Sequence, residues 1–483
     1  MALSIREPSL PYIPHGKFGI LTGYIFVLNS TIGAGFLSIP WAYENSGWFF
    51  SLIFQILTTI LCYYLSIQTL ESMSRAEILS RMTEEGKDIH RISFKKLFQN
   101  PNHPDHLLKP PPHLTPMITN RLINLPDIVK MVFGERVGLC YLIFVIFSVF
   151  GILVAYGSVF ASSFASIIPL GPLSTCDIYT NKDYFSDCKM KYSFFLLFFA
   201  ICVCYMTVKG IEEQQYVQYI MSGLRFIVII SITLTCFADI VLHRDNNDSH
   251  YNSADAPPMI RPKNIGHAIP IILFATIFQN QIPTIASSIK NKEKTLAKVN
   301  GYVSMTCFFV YTLLGMAAAF AIDHMPSMVT MSYRDYTGGY SKGSRPGWTY
   351  VLEYLIVLCP AFDVFSSYPI QALVLANSIT TWRYGGNEED IPKRVFYGIR
   401  FLSAFIPLIV SFLVYDLGTI LDWTGLFGFL GFLIATPLFH LALRHMVAGE
   451  SPYDAYFNIG LSWAIIIVNA FLFFAVVGLN LVE

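Results

Sequence analysis

Asn29-Ser30-Thr31-Ile32-Gly33-Ala34-Gly35 interrupts an apolar run, residues 18–45, that is otherwise long enough to cross a membrane. Spanning requires about 20 mostly apolar residues. Polar and helix-weak residues followed by Gly-x-Gly cannot continue a comfortable helix through that depth. A break frees backbone N–H and C=O groups, and lipid tolerates those only where they line a cavity or bind something. Pro40 then restarts a helix near its beginning. The structural alternative is close helix packing through the small residues.

The same interruption recurs in the sixth apolar segment. Phe274-Ala275-Thr276-Ile277-Phe278-Gln279-Asn280-Gln281-Ile282-Pro283 places three consecutive amides mid-span, then a proline that donates no backbone hydrogen bond. Breaks in the first and sixth spans predict two halves of five helices in inverted repeat, with substrate at the midplane between the half-helices.

Composition sets both breaks in a membrane. The 483 residues are 54% hydrophobic and 13% charged, against about 25% charged in a soluble domain, and mean hydropathy is +0.52. Lys+Arg and Asp+Glu each number 32, so no basic stripe is implied and nucleic-acid binding is excluded. Eleven candidate spans follow: 18–45, 48–72, 137–168, 192–208, 214–242, 265–289, 299–322, 349–379, 395–416, 418–443 and 458–481. The predicted fold class is an all-α polytopic membrane protein, with the eleventh helix outside the repeat. Residues 18–481 form the transmembrane domain, divided into repeat one (about 18–242), repeat two (about 265–443) and the extra helix 458–481.

With the N-terminus inside, the inner segments hold 21 Lys and Arg against 9 in the outer loops, which places residues 1–17 in the cytosol. Those residues hold three prolines and no apolar core, so they do not read as a secretory signal. The cytosolic loop 73–136 is the one sizeable soluble segment. About Glu71–Phe98 reads as a helical extension, Asn100–Pro116 with six prolines as an irregular linker, and Leu122–Gly134 as a short amphipathic helix. It is expected to be a connector or a docking site for a cytosolic partner. In the outer loops, Asn247-Asp248-Ser249 is a glycosylation pattern. Cys176 and Cys188 are the two of nine cysteines outside the spans and are candidates for a disulfide.

The eighth span carries Asp363, Ser366 and Ser367 at i, i+3 and i+4, on one helix face. A mid-membrane carboxylate beside two hydroxyls is a hard-oxygen set suited to a small cation, and a desolvated carboxyl can also take a proton. Hydroxyls bonded back to their own helix carbonyls are the structural alternative.

Asn29–Tyr43 resembles the first-span signature of the amino acid/auxin permease family: Asn, then Gly-x-Gly, an apolar pair, Pro and an aromatic. Leu125–Gly134, Val154-Ala155-Tyr156, Phe274–Pro283 and Leu421–Pro437 resemble further stretches of that family in the same order, from residue 18 over most of the chain. The resemblance implies the LeuT-type fold and secondary transport of amino acids coupled to Na⁺ or H⁺. It implies a substrate held by Ser30, Thr31 and the freed amides of Gly33, Ala34 and Gly35, faced by Tyr156, and contacted by Phe274, Thr276 and Gln279. It implies a coupling ion between the carbonyls of Asn29 and Ile32 and the eighth span, using the Asp363 carbonyl and the Ser366 and Ser367 hydroxyls. Three departures stand out: Gln279-Asn280-Gln281 where many members place a histidine, an acid at position 363 where a neutral residue is usual, and a 73–136 loop longer than in typical members.

An ion-coupled amino acid carrier in the plasma membrane or an endolysosomal or vacuolar membrane is the expectation. The alternative is an amino acid sensor that signals through loop 73–136 with little net transport. An enzyme is not expected, since no His-Glu-x-x-His helix, Gly-x-Ser-x-Gly elbow or P-loop is present. No cofactor is expected; Na⁺ is the sole metal considered, as a coupling ion. His440 and His324 read as lone packing or interfacial groups near span ends.

Overall fold

Long apolar runs become helices in a bilayer because the hydrocarbon offers backbone groups no other partner. The computed structural model describes residues 18–33, 35–84, 97, 117–119, 123–170, 187–210, 215–242, 257–334, 336–340, 344–384, 391–414, 417–453 and 458–482. Its helices are α1 (Ile20–Ile32), α2 (Gly35–Ser46), α3 (Trp48–Glu84), α4 (Leu125–Phe133), α5 (Glu135–Ile167), α6 (Asp187–Lys209), α7 (Gln215–Leu242) and α8 (Ile265–Thr276). They continue with α9 (Ile282–Ala286), α10 (Lys292–Ala321), α11 (Gly347–Tyr384), α12 (Lys393–Leu413), α13 (Leu417–Gly428), α14 (Ala435–Met446) and α15 (Ile459–Val482). Among the described residues there is no β-strand, only an isolated bridge between Phe18 and Ile289.

Among the described residues, ten helical segments are long and apolar enough to cross a bilayer, and an eleventh is counted when α1 and α2, bent by 49°, are taken as one span. The protein is thus an all-α, multi-pass integral membrane protein. The second span runs further than expected, to Glu84, and the seventh begins earlier, at Lys292. The tenth is interrupted by a π-helical turn, Phe429–Ile434, whose Gly431 carbonyl accepts the Tyr141 hydroxyl at 2.7 Å.

Among the spans, α2 packs on α8, α3 on α10, α5 on α11 and α6 on α12. Side chains sort by neighbour within each helix. In α6, Phe199 stacks on Phe160 with ring centroids 4.3 Å apart, while Leu197 and Ile201 are 61% and 66% exposed and face lipid.

The extension of α3 past its apolar part is held by charge. Glu71 is fully buried and takes Arg75 Nε at 2.9 Å, His440 Nε2 at 2.9 Å and Arg444 Nε at 2.5 Å. Arg75 goes on to the carbonyls of Val447 (2.6 Å) and Gly449 (3.0 Å), which ties α3 to α14 and the segment after it. His440 is therefore a member of a buried charge cluster, contrary to its reading as a lone packing group. That reading failed because its acid lies 369 residues away in sequence. Glu71→Gln keeps the volume but removes the charge facing two arginines. It is expected to lower stability by about 1–3 kcal/mol, measured as a fall in the thermal unfolding midpoint of the purified protein.

Candidate functional site

The first break is built around Gly33, whose φ of 39° and ψ of −132° end α1. Its N–H still reaches the Asn29 carbonyl at 3.2 Å. The Tyr156 hydroxyl, from α5, occupies the space that a Cβ on Gly33 would need. Ala34 lies outside the described residues. Gly35 starts α2 in contact with the second break: a Cβ there would stand 2.8 Å from both Cα and Cβ of Ala275 in α8. The two interrupted spans thus meet at their interruptions, with Tyr156 beside them.

In the second break, α8 ends at Thr276 and a 3₁₀ turn, Gln279–Gln281, leads into α9. Three carbonyls at the breaks accept donors from other spans. The Ala275 carbonyl accepts Tyr311 Oη from α10 at 2.9 Å. The Ser30 carbonyl accepts Gln281 Nε2 at 3.1 Å, and Gln281 Oε1 accepts the Ser30 hydroxyl. The Asn29 carbonyl accepts the Ser367 hydroxyl from α11 at 3.0 Å.

The sequence-predicted residues divide. Gly33, Gly35 and Tyr156 come together, with Phe274 and Thr276 flanking Ala275. Thr31 and Thr276 spend their hydroxyls on their own helices, at Val27 O (2.6 Å) and Ile272 O (2.9 Å). Ser30 does so in part, at Phe26 O (2.9 Å). Gln279 turns away from the first break: its Nε2 donates to Cys62 O of α3 at 3.2 Å and its Oε1 accepts the Phe278 N–H at 3.1 Å. Its neighbour Asn280 is buried with both amide atoms lacking a hydrogen-bond partner, as is the Thr284 hydroxyl. Ile32 is buried as the last residue of α1. Cys188 is disulfide-bonded; Cys176 and Asn247 lie outside the described residues.

Around the eighth span, the structure adds a residue that the sequence reading left out of the site. Arg225 of α7 is fully buried and places Nε 2.5 Å from Asp363 Oδ1, with Nη2 on the same oxygen. Its Nη1 reaches Asn29 Oδ1 at 3.1 Å and the Leu28 carbonyl at 3.4 Å. Asn29 Nδ2 donates to both oxygens of Gln218, the carbonyl at 2.8 Å and Oε1 at 2.7 Å. Gln218 Nε2 donates to the Ser366 carbonyl at 2.7 Å, and the Ser366 hydroxyl to the Asp363 carbonyl at 2.9 Å. Asn29, Asp363, Ser366 and Ser367 are therefore brought together beside a guanidinium. The second Asp363 oxygen has no hydrogen-bond partner. The signal for Arg225 was present: a charge inside a span demands a partner of opposite sign.

Set beside known proteins, residues 16–479 match the family described as transmembrane amino acid transporter protein. The chain is 23% identical over 381 residues to a Transmembrane protein 104 homolog of Caenorhabditis elegans, covering 75% of this chain and 68% of that one. It is 22% identical over 472 residues to Transmembrane protein 104 of Mus musculus, covering 91% and 89%. It is 20% identical over 492 residues to the Drosophila melanogaster homolog, covering 91% and 92%.

Proposed function

We propose, on the premise that the chain belongs to the transmembrane amino acid transporter family, that it is a secondary active carrier driven by a Na⁺ or H⁺ gradient. It works by alternating access around a midplane site between the first, third, sixth and eighth spans, with its N-terminus in the cytosol. The observation that carries this reading is the meeting of the two breaks, Gly35 on Ala275 with the Tyr156 hydroxyl against Gly33. The start of α2 offers backbone N–H groups and the positive end of a helix dipole to a substrate carboxylate. Asn280 offers a buried donor and a buried acceptor that no protein group uses, which suits the polar part of an amino acid.

Uptake of radiolabelled amino acids into proteoliposomes, under imposed Na⁺ and pH gradients, tests it. Accumulation that collapses when the gradient is dissipated is expected. Asn280→Ala is expected to raise the apparent KM about fivefold to tenfold, the worth of one buried hydrogen bond, with the thermal midpoint unchanged or raised. One contact favours the sensor as a second reading: Lys292 Nζ joins the Thr119 carbonyl of the long loop (2.9 Å) to the Ala286 carbonyl at the end of the sixth span (2.7 Å). Substrate-dependent stabilisation without uptake under any gradient would select that reading.

A further inference from the structure

Of the residues that sequence reasoning assigned to a coupling cation, Asn29 and Asp363 give their side-chain oxygens to a cation of the protein's own, and several of the remaining oxygens are bonded to neutral donors of the protein. The Asn29 carbonyl accepts the Gly33 N–H (3.2 Å) and the Ser367 hydroxyl (3.0 Å). The Ser366 hydroxyl is turned to the Asp363 carbonyl and the Ser366 carbonyl accepts Gln218 Nε2. The Asn29 side-chain oxygen and Asp363 Oδ1 both accept from Arg225. Hydroxyls can rotate and release their bonds, but a guanidinium cannot shed its charge: arginine stays protonated in proteins. A second positive ion on the Asp363 carboxylate or the Asn29 side-chain oxygen would face Arg225 at contact range in a site buried from bulk solvent.

The position of Arg225 is also mechanically specific. It bonds α1 one turn before Gly33, through Leu28 and Asn29, and it bonds α11 through Asp363, while its own helix, α7, supplies Gln218 to the same two partners. A bound cation in such a place would hold the first, fifth and eighth spans together only while bound. A tethered one belongs to α7, so its presence there does not depend on an ion concentration.

We propose that Arg225 is a built-in cation, standing where Na⁺ would otherwise bind between the first and eighth spans, and that this carrier therefore does not draw on a Na⁺ gradient at that place. This rests on the transport reading above, which leaves Na⁺ and H⁺ both open. The assignment deepens that reading by removing Na⁺ from this site.

Stability and transport test it separately. The purified full-length protein is unfolded thermally in NaCl, KCl and choline chloride of equal ionic strength. The wild-type midpoint is expected to be the same in all three. Arg225→Ala leaves Asp363, Asn29 and the two serines facing an opened space; its midpoint is expected to fall by several degrees and to be higher in NaCl than in KCl. Arg225→Lys, which keeps the charge, is expected to show no preference for Na⁺ and guards against the alanine variant failing to fold. In proteoliposomes, replacing Na⁺ with choline is expected to change wild-type uptake less than twofold. A wild-type midpoint raised selectively by Na⁺, or a Na⁺ preference kept by Arg225→Lys, overturns the proposal, and so does uptake that disappears without Na⁺. Absence of uptake in every gradient would sink the transport reading, while the salt series would still decide what occupies this place.

Discussion

Asp363→Ala is expected to destabilise the protein by about 3–5 kcal/mol, the usual loss when one member of a buried ion pair is removed. Neither side chain has a route to water: Arg225 is 0% and Asp363 1% exposed. With the carboxylate gone, the guanidinium keeps only Asn29 Oδ1 and the Leu28 carbonyl, both neutral acceptors. The reverse deletion, Arg225→Ala, strands a carboxylate whose second oxygen already has no partner. Removing both charges together, as Arg225→Met with Asp363→Ala, is expected to recover most of the loss, because two charges that no longer exist need no desolvation. Thermal or denaturant unfolding of Asp363→Ala, Arg225→Met and the double variant that combines them closes a cycle. A coupling energy of about 2 kcal/mol or more is expected for such neighbours. Additive losses would mean that the two groups do not depend on each other and that the pair is not what holds α7 to α11. Uptake by the double variant is a separate matter, since it would fold without the tethered charge.

The fold was legible because its signals are local and large. An apolar run of spanning length is informative in itself, and two of these runs carry glycines, amides or prolines that lipid would not tolerate without reason. What could not be read was which distant group answers each freed carbonyl. Gln281 for Ser30, Tyr311 for Ala275 and Ser367 for Asn29 are long-range pairings on which spacing has no bearing. The three amides show the limit sharply. In a 3₁₀ turn successive side chains are about 120° apart, so Gln279, Asn280 and Gln281 must face three directions. Only the packed structure distributes them: Gln279 to α3, Gln281 to α1, and Asn280 to no protein partner. Arg225 is a different kind of miss. The rule that made Asp363 conspicuous applies equally to an arginine that opens the apolar run Phe226–Thr235. The acid drew notice because two hydroxyls shared its helix face, and neighbours on one's own helix are the only ones a sequence displays.

Gly33→Ala is expected to cut uptake by about a hundredfold, the scale on which a displacement of an ångström at a positioned site acts, while the protein remains folded. Two effects act at one atom. At φ of 39° and ψ of −132° the backbone sits where only glycine is at ease, and holding another residue there costs about 1–3 kcal/mol. The added methyl would also stand where the Tyr156 hydroxyl oxygen now lies, with the Tyr156 Cζ only 3.1 Å away. The chain can relieve this by moving Tyr156 out or by straightening the break, and either movement rebuilds the place where α5, the first span and the sixth span meet. The two effects are separable. Tyr156→Phe in the Gly33→Ala background removes the oxygen in the way and leaves the backbone strain. It is expected to restore part of the uptake and not all of it. Full restoration would assign the whole loss to the clash. No restoration, with the midpoint unchanged, would assign it to the backbone, and would make the left-handed turn at Gly33, more than the tyrosine, the element on which the site depends. Uptake by Gly33→Ala equal to wild type would remove the first break from the transport pathway altogether.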